Sequence, residues 1–406
     1  MTYAYIAFCI TIIGIIFIII FNYWSGIISK KQKHITSQIN NSIPENGETD
    51  LKYYRCSEKK LNTATLTGLN NAQFVKTKNS VNAELYITCE YNYIESELSR
   101  FTPSTMNKYI YAIVGGDTLC GKDLLWNTLI DGHGIDNASY IMPQSWVISD
   151  PNEMANFTYY YETHRAARPA FILKKNIQGK RGLRISDSLA DIHQIITDDP
   201  SYKVIQLYIK NCYTINRRKL NIRLYVVISC YNGNIQWFLY NNGKCIYTNK
   251  TYDPVQSFIG AENISDKEQH FTSYNLNTKQ VYSTEKLPES LQDLEKHVQS
   301  HTYQKLWLHI CQKLSLIRAA YVSAGQLCES DDVGTYTDKV CFQLFGIDVI
   351  IDADKMEPYI LEFNKGPEMT YKSPNDELMK PKLITDMLNM ITNKVGVIES
   401  NFTIIV

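Results

Sequence analysis

At 406 residues the chain is too long for a peptide-sized module and has room for two or three subdomains around a substantial core. Lys plus Arg and Asp plus Glu both total 41, so summed charge gives no push toward nucleic acid, and any partner must be read by local patches. The 29 Tyr, together with many Ile, Asn and Lys, inflate apparent strand propensity, and that signal is discounted.

In chain order, Ala4 to Trp24 carries no charge and a dense Ile run, about 20 residues that suffice to span a bilayer as a single transmembrane helix. A cleaved signal peptide fits less well, because no basic segment precedes the run and no small-x-small site follows clearly. Lys30, Lys31 and Lys33 follow it, so the positive-inside bias predicts a single-pass membrane protein with its large carboxy-terminal part in the cytoplasm. Residues 30–52 are polar and read as a linker. Strands are predicted at 83–89 and 109–114, and helices at 122–130, 186–197, 291–324 and 375–392. Ten Cys without a CxxC pair or zinc spacing read as reduced thiols of a cytosolic domain.

Gly116 to Lys122 has the GxxxxGK spacing of a P-loop. The following residue is Asp123, where such a loop needs a hydroxyl, and a carboxylate there would oppose the phosphates. The middle of the chain offers a different phosphate-binding pattern. An apolar strand from Pro169 ends in Lys174, and Gln178-Gly179-Lys180-Arg181-Gly182 forms a cationic glycine loop. A strand from Lys219 then alternates Lys219, Asn221, Arg223 and Tyr225 against Leu220, Ile222 and Leu224. Glycine lets backbone approach a polyphosphate and the cations neutralise it, whereas a solvated sheet face is the plain alternative for such a row.

Two apolar runs near the carboxy terminus carry acids, Asp348 in the first and Glu362 with Asn364 in the second. Buried carboxylates need cations. A hairpin around 352–357 would set Asp348 opposite Glu362 and Asn364, two carboxylates and an amide oxygen of the kind magnesium prefers.

These motifs, taken together over residues 105–395, resemble the tubulin tyrosine ligase-like family. Gly121-Lys122-Asp123-Leu124-Leu125-Trp126 and Met142-Pro143-Gln144-Ser145 are similar to its amino-terminal signatures. Ile172-Leu173-Lys174, Gln206-Leu207-Tyr208-Ile209, Arg218 to Arg223, His270 to Tyr274 and the acidic strands follow in family order. The resemblance implies an α+β ATP-grasp fold behind a small amino-terminal α/β domain. The expected divisions are an anchor at 1–29, a linker at 30–52, domains at 53–155, 156–212 and 213–395, and a tail at 396–406. It implies ATP and Mg2+ as cofactors, with Asp348, Glu362 and Asn364 on the metal and Lys174 and Gly182 at the phosphates. Gln206 with the Tyr208-Ile209 backbone would hold adenine, Lys219 and Asn221 the nucleotide or ribose, and Thr272 would line the site. Arg223 would hold phosphate or the acyl phosphate, and with Lys174 and Glu362 would carry the chemistry. The implied reaction activates an acceptor carboxylate with ATP and joins it to an amino acid, with glutamate the first candidate and tubulin or microtubules the expected protein partner. Three positions depart from the family pattern: Asn221 for Asp, Ile246 or a neighbour for Arg, and Ser273 for Asn. A catalytically impaired, nucleotide- or tubulin-binding module is therefore the second expectation.

Overall fold

The computed structural model describes residues 50–55, 61–89, 94–177, 182–254, 264–272, 284–328, 336, 338–397 and 399–406. The predicted membrane helix lies outside these residues; among the described residues no helix is long and apolar enough to cross a membrane.

The fold is mixed α/β and rests on two sheets. Strands β1 (Leu51–Arg55), β2 (Phe74–Lys76), β3 (Leu85–Ile87) and β4 (Tyr109–Tyr111) pair in parallel, in the order β2-β1-β3-β4. Strands β5 (Ser145–Val147), β6 (Phe171–Lys175), β7 (Leu183–Ser186) and β8 (Tyr202–Leu207) form a separate antiparallel sheet, ordered β5-β8-β6-β7. The rest of the large sheet comprises β9 (Thr214–Ile215), β10 (Arg218–Tyr231), β11 (Asn234–Tyr240), β12 (Lys244–Tyr247), β13 (Val340–Asp352), β14 (Glu357–Lys365) and β15 (Phe402–Ile405). Here β4 pairs in parallel with β13, so the strands of the amino-terminal stretch and those of the carboxy-terminal stretch belong to one sheet.

Alternation along β10 separates two cores. Leu220, Ile222, Leu224, Val226 and Ile228 pack with Leu125, Trp126 and Leu129 of the helical stretch Lys122–Ile141, which breaks at Gly134 (φ 74°), and with Ile310, Leu314 and Ile317 of the helix Ser300–Ser323. Tyr225 and Val227 face Leu383 and Met387 of the helix Pro374–Ile391 and Ala64 and Leu69 of the helix Thr63–Asn71. A strand buried on both faces must be apolar on both, and from Leu224 to Ile228 it is. Asn232 and Gly233, both at positive φ (47° and 73°), make the two-residue turn from β10 to β11. The small sheet buries Trp146, Phe171 and Ile205 against Phe157 of the helix Pro151–His164.

Two sequence expectations change. The helix predicted over 291–324 is two helices, Leu291–Val298 and Ser300–Ser323, broken at Gln299, whose φ of 71° no α-helix accommodates. Ser290 and Asp293 cap the first reciprocally, while the apolar spacing runs on through the break. The cysteines also differ from the expected reduced set, because the end of β10 and the segment after the long helix bring Cys230 and Cys328 together as a disulfide with Cα atoms 6.3 Å apart. Cys120, Cys212, Cys311 and Cys341 remain thiols.

Gly115 has φ 81°, and an added Cβ would overlap the Gln326 carbonyl oxygen. Gly115→Ala combines left-handed strain with a backbone clash and is expected to lower the unfolding free energy by roughly 3 kcal/mol, measured by urea denaturation.

Candidate functional site

The acidic hairpin forms as its sequence suggests. β13 and β14 pair with Asp348 opposite Glu362 and Gly346 opposite Asn364, next to an irregularity between Asp348 and Val349. Glu362 and Asn364, two residues apart, share a face of β14, and Asn364 Nδ2 donates to Glu362 Oε1 at 3.3 Å.

On the other side of β13, β10 sets Arg223 opposite Asp348. The guanidinium forks onto the carboxylate, with Nε 2.6 Å from Oδ1 and Nη2 3.1 Å from Oδ2. Burial opposes the Arg223 charge, and Asp348 more than restores it, so its pKa is pushed up. Glu362 is also held ionised: burial disfavours its charge, but Lys122, Lys174 and Arg223 outweigh that and depress its pKa.

Lys174, near the end of β6, is buried and donates from Nζ to Gln206 Oε1 at 2.6 Å. Gln206 is anchored in turn, its Nε2 donating to Ser145 Oγ at 2.9 Å and to the Pro143 carbonyl at 3.3 Å. The Met142-Pro143-Gln144-Ser145 segment thus orients Gln206, and Gln206 orients Lys174. Burial lowers the Lys174 pKa to about 8 against the attraction of Glu362. A polyphosphate binds the protonated amine, so affinity should be flat below pH 8 and fall by up to about tenfold per unit above it. Calorimetric titrations with ATP from pH 6.5 to 9.5 measure this, and Lys174→Met should flatten the profile.

Farther along β10, Lys219 Nζ donates to Tyr208 Oη at 3.0 Å and lies 4.3 Å from the Tyr208 ring centroid. Tyr208 Oη is 3.0 Å from His270 Nδ1. Burial and Lys219 hold His270 neutral, at about 3, and Lys219, Tyr208 and His270 form a connected row of polar contacts. The Tyr208 amide donates to the Ala170 carbonyl at 2.8 Å, tying the chain after β8 to the start of β6. Ile209 packs in the same cluster as Tyr208 and Phe271, and Thr272 is buried one residue beyond Phe271. Asn221 sits between Ile246 and Ile350 on the flanking strands, and its Oδ1 is buried without a hydrogen-bond partner among the described residues. Gly182 closes the turn back to Lys175, where a Cβ would meet the Lys175 and Ile177 side chains. Residues 178–181 of the cationic loop and Ser273 lie outside the described residues.

One cation was not foreseen as a site residue. Lys122, the lysine of the P-loop lookalike, opens the helix Lys122–Ile141 and places Nζ 3.2 Å from Glu362 Oε2. The GK spacing drew attention to it but could not say where it points. Lys122, Lys174 and Arg223 thus surround the two acids Asp348 and Glu362, a formal excess of one positive charge that an anion would offset, while Lys219 stands at Tyr208.

The donor set also suits a hard cation. Two carboxylates lie at facing strand positions, and rotation of the Asn364 amide presents its Oδ1 beside them. Among the described residues no three His, Cys, Asp or Glu cluster, so an amide oxygen is needed to complete the set. A separate cavity of about 710 Å³, lined by Lys286, Glu289, Asp293, His297 and Leu378 among others, shares no residue with this site.

Residues 106–399 match the model of the tubulin-tyrosine ligase family. The chain belongs to that family. A probable beta-tubulin polyglutamylase of Tetrahymena thermophila is 28% identical over 266 residues, which cover 61% of this chain and 21% of the relative. A tubulin polyglutamylase of Danio rerio is 26% identical over 68% of this chain and 35% of its own length, and one of Homo sapiens 27% over 67% and 21%. The matched stretch therefore spans well under half of these curated relatives. In this tubulin-tyrosine ligase family member every residue of the site, from Lys122 to Asn364, falls inside the matched stretch.

Proposed function

We propose that the chain is an ATP- and magnesium-dependent ligase of the ATP-grasp type that joins an amino acid, with glutamate the preferred donor, to a carboxylate of tubulin or another protein. The observation that carries this reading is the cationic group Lys122, Lys174 and Arg223 set against Asp348, Glu362 and Asn364, an anion site and a hard-cation site side by side. The polyglutamylase names of the relatives supply tubulin and glutamate.

Asp348, Glu362 and Asn364 would hold magnesium, which when bound offsets charge on the phosphates. Lys174, fixed by Gln206, would bind phosphate oxygens. Lys219 and Tyr208 would lie toward the base, and the partnerless Asn221 Oδ1 would accept a ribose hydroxyl. Arg223 would stabilise the transferring phosphoryl group. An oxygen of the acceptor carboxylate takes the γ-phosphoryl group and ADP leaves. The donor amine then attacks the acyl carbon, phosphate departs, and the amine's proton passes to solvent or base. The apolar run at 4–24 and the lysines behind it extend the proposal to a membrane-anchored protein with this site on the cytoplasmic side; protease protection in sealed vesicles tests that.

A second reading rests on Asn221 and its β12 partner Ile246, uncharged residues where the family pattern carries Asp and, at Ile246 or a neighbour, Arg. It makes the chain a nucleotide- or tubulin-binding tether without transfer. Incubating the full chain with ATP, magnesium, tubulin and each labelled amino acid, beside Glu362→Gln, separates the two. Incorporation that Glu362→Gln abolishes is the ligase result; ATP binding without incorporation of any amino acid leaves the tether.

A further inference from the structure

Three pairings in succession set four charged residues in one row across the large sheet. Lys244 on β12 stands opposite Arg223 on β10, Arg223 opposite Asp348 on β13, and Asp348 opposite Glu362 on β14. Opposite residues of paired strands share a face, and strands lie about 4.8 Å apart, so Lys244 is one spacing beyond Arg223 on the side away from the acids. It is the one charged residue of β12; Ile246, two positions along the same face, pairs with Asn221 and brings no charge.

Lys244 is buried, and its Nζ donates to Asp376 Oδ2 at 2.7 Å. Asp376 lies in the first turn of the helix Pro374–Ile391, and Lys380, one turn on, places Nζ 3.3 Å from the same oxygen and donates to the Thr370 carbonyl at 2.7 Å. Glu368, the next acid, accepts from the Thr370 amide and hydroxyl and lies 3.9 Å from Lys372. Arg223 is already balanced by Asp348. Two buried ammoniums against one carboxylate therefore leave a formal excess of one positive charge at this end of the row. Burial lowers the Lys380 pKa to about 8 against the pull of Asp376. Tyr225, two residues after Arg223 on the same face, lies in the fields of both Arg223 and Asp376, which sets the cluster beside the arginine.

The cavity of about 710 Å³ takes its walls from the two segments that carry this pair. Glu289 precedes Ser290, which bridges to Lys244, and Pro374 and Asn375 precede Asp376. Its volume falls in the range of sites that take a ligand larger than one amino acid. Asp293 is engaged in capping Ser290, which leaves Lys286, Lys296 and His297 against Glu289 among the charged lining residues. Asn375 Nδ2 is buried without a hydrogen-bond partner among the described residues, a donor open to a peptide carbonyl. Lys244 keeps 11% of its side chain exposed where Asp376 keeps none, so the lysine is the member of the pair that a ligand can reach.

We propose that Lys244, braced by Asp376 and Lys380, binds the carboxylate of the acceptor side chain, and that the acceptor is an acidic stretch of peptide lying in the neighbouring cavity. This rests on the ligase reading above and assigns residues to the acceptor half of that reaction. In an in-line transfer the attacking oxygen stands opposite the leaving one. The row has that order, with Asp348 and Glu362 at the ADP end, Arg223 at the transferring phosphoryl group and Lys244 at the attacking carboxylate. The carboxylate oxygen bonds to the γ-phosphorus as the bond from that phosphorus to the bridging oxygen breaks, and ADP leaves with the electron pair; no proton moves in this step.

The test is equilibrium binding of two end-blocked peptides, one alternating Glu and Gly and one alternating Gln and Gly, to the full chain with magnesium and ADP. Lys244→Met, Lys244→Arg and Lys244→Met/Asp376→Asn are measured in the same way, with ATP affinity alongside. The parent should prefer the Glu peptide by roughly tenfold or more. Lys244→Met should bring the two peptides within about twofold of each other with ATP affinity also within about twofold of the parent, and Lys244→Arg should keep most of the preference. A merely structural lysine would weaken both peptides equally or weaken ATP binding, and either result, or a parent without preference, overturns the proposal. If Lys244→Met does not fold, the double variant, from which both charges leave together, gives the ratio. Incorporation of labelled glutamate into tubulin, run on the same preparations, keeps the two readings apart. Incorporation whose KM for tubulin is unmoved in Lys244→Met sinks this inference and leaves the ligase reading standing. A parent that prefers the Glu peptide yet incorporates nothing sinks the ligase reading and leaves Lys244 as an acidic-peptide contact of the tether.

Discussion

Lys174→Ala is expected to weaken ATP binding by roughly 100-fold or more while the chain stays folded. The ammonium is buried, fixed by Gln206 and within the field of Glu362 and Asp348, so a phosphate contact made by it would be charge-assisted and poorly screened. Its removal also ends the cost of burying that charge, which offsets the roughly 1–3 kcal/mol lost when Gln206 Oε1 is left without its donor. Stability should therefore change little compared with affinity. The outcome also disposes of the P-loop alternative, in which Lys122→Ala would abolish binding of ATP and ADP alike and Lys174→Ala would spare both. Calorimetry with both nucleotides on both variants is the measurement.

Asp348→Ala is expected to show the opposite balance, with a large loss of stability. Arg223 is fully charged, and Asp348 is the acid its guanidinium forks onto. Removing one partner of such a pair leaves a buried charge without compensation, at a cost of roughly 3–5 kcal/mol. The double variant Arg223→Met/Asp348→Leu should recover a substantial part of that in urea denaturation, because both charges leave together. Equal losses in the single and double variants would show that Asp348 acts through packing.

Much of the site was legible because its chemistry is written in strands. A period of two fixes which face each residue of β10 and β14 presents, so the row of Lys219, Asn221 and Arg223 and the pair of Glu362 and Asn364 could be grouped before any fold was known. The hairpin itself followed from two apolar runs joined by a short polar turn, but its register did not: the irregularity between Asp348 and Val349, which no sequence pattern marks, is what sets Asp348 opposite Glu362 and leaves Asn364 opposite Gly346. Lys122 was not legible in this way, because its helix gives a direction only once Trp126 and Leu129 are packed beneath β10. The cap that Asn176 sets on the helix start at Lys122 and Asp123 was harder still, since its partners lie 54 and 53 positions away and no local pattern marks a cap supplied from another strand. The hydrogen bond by which Gln206 fixes Lys174 was not legible either, since it depends on the antiparallel pairing of β6 with β8.

The parallel seam between β4 and β13 carries a further implication. It joins Tyr109 to Val340 and Ile110 to Cys341, positions 231 apart (340 minus 109), and β13 is the strand that bears Asp348. A ribosome must therefore release most of the polypeptide before the sheet edge that β4 offers can be matched, and closing so long a loop is a slow step. Until then β4 exposes an unpaired backbone edge to any other nascent chain. Assembly of the acidic hairpin and protection of the early strands thus depend on each other.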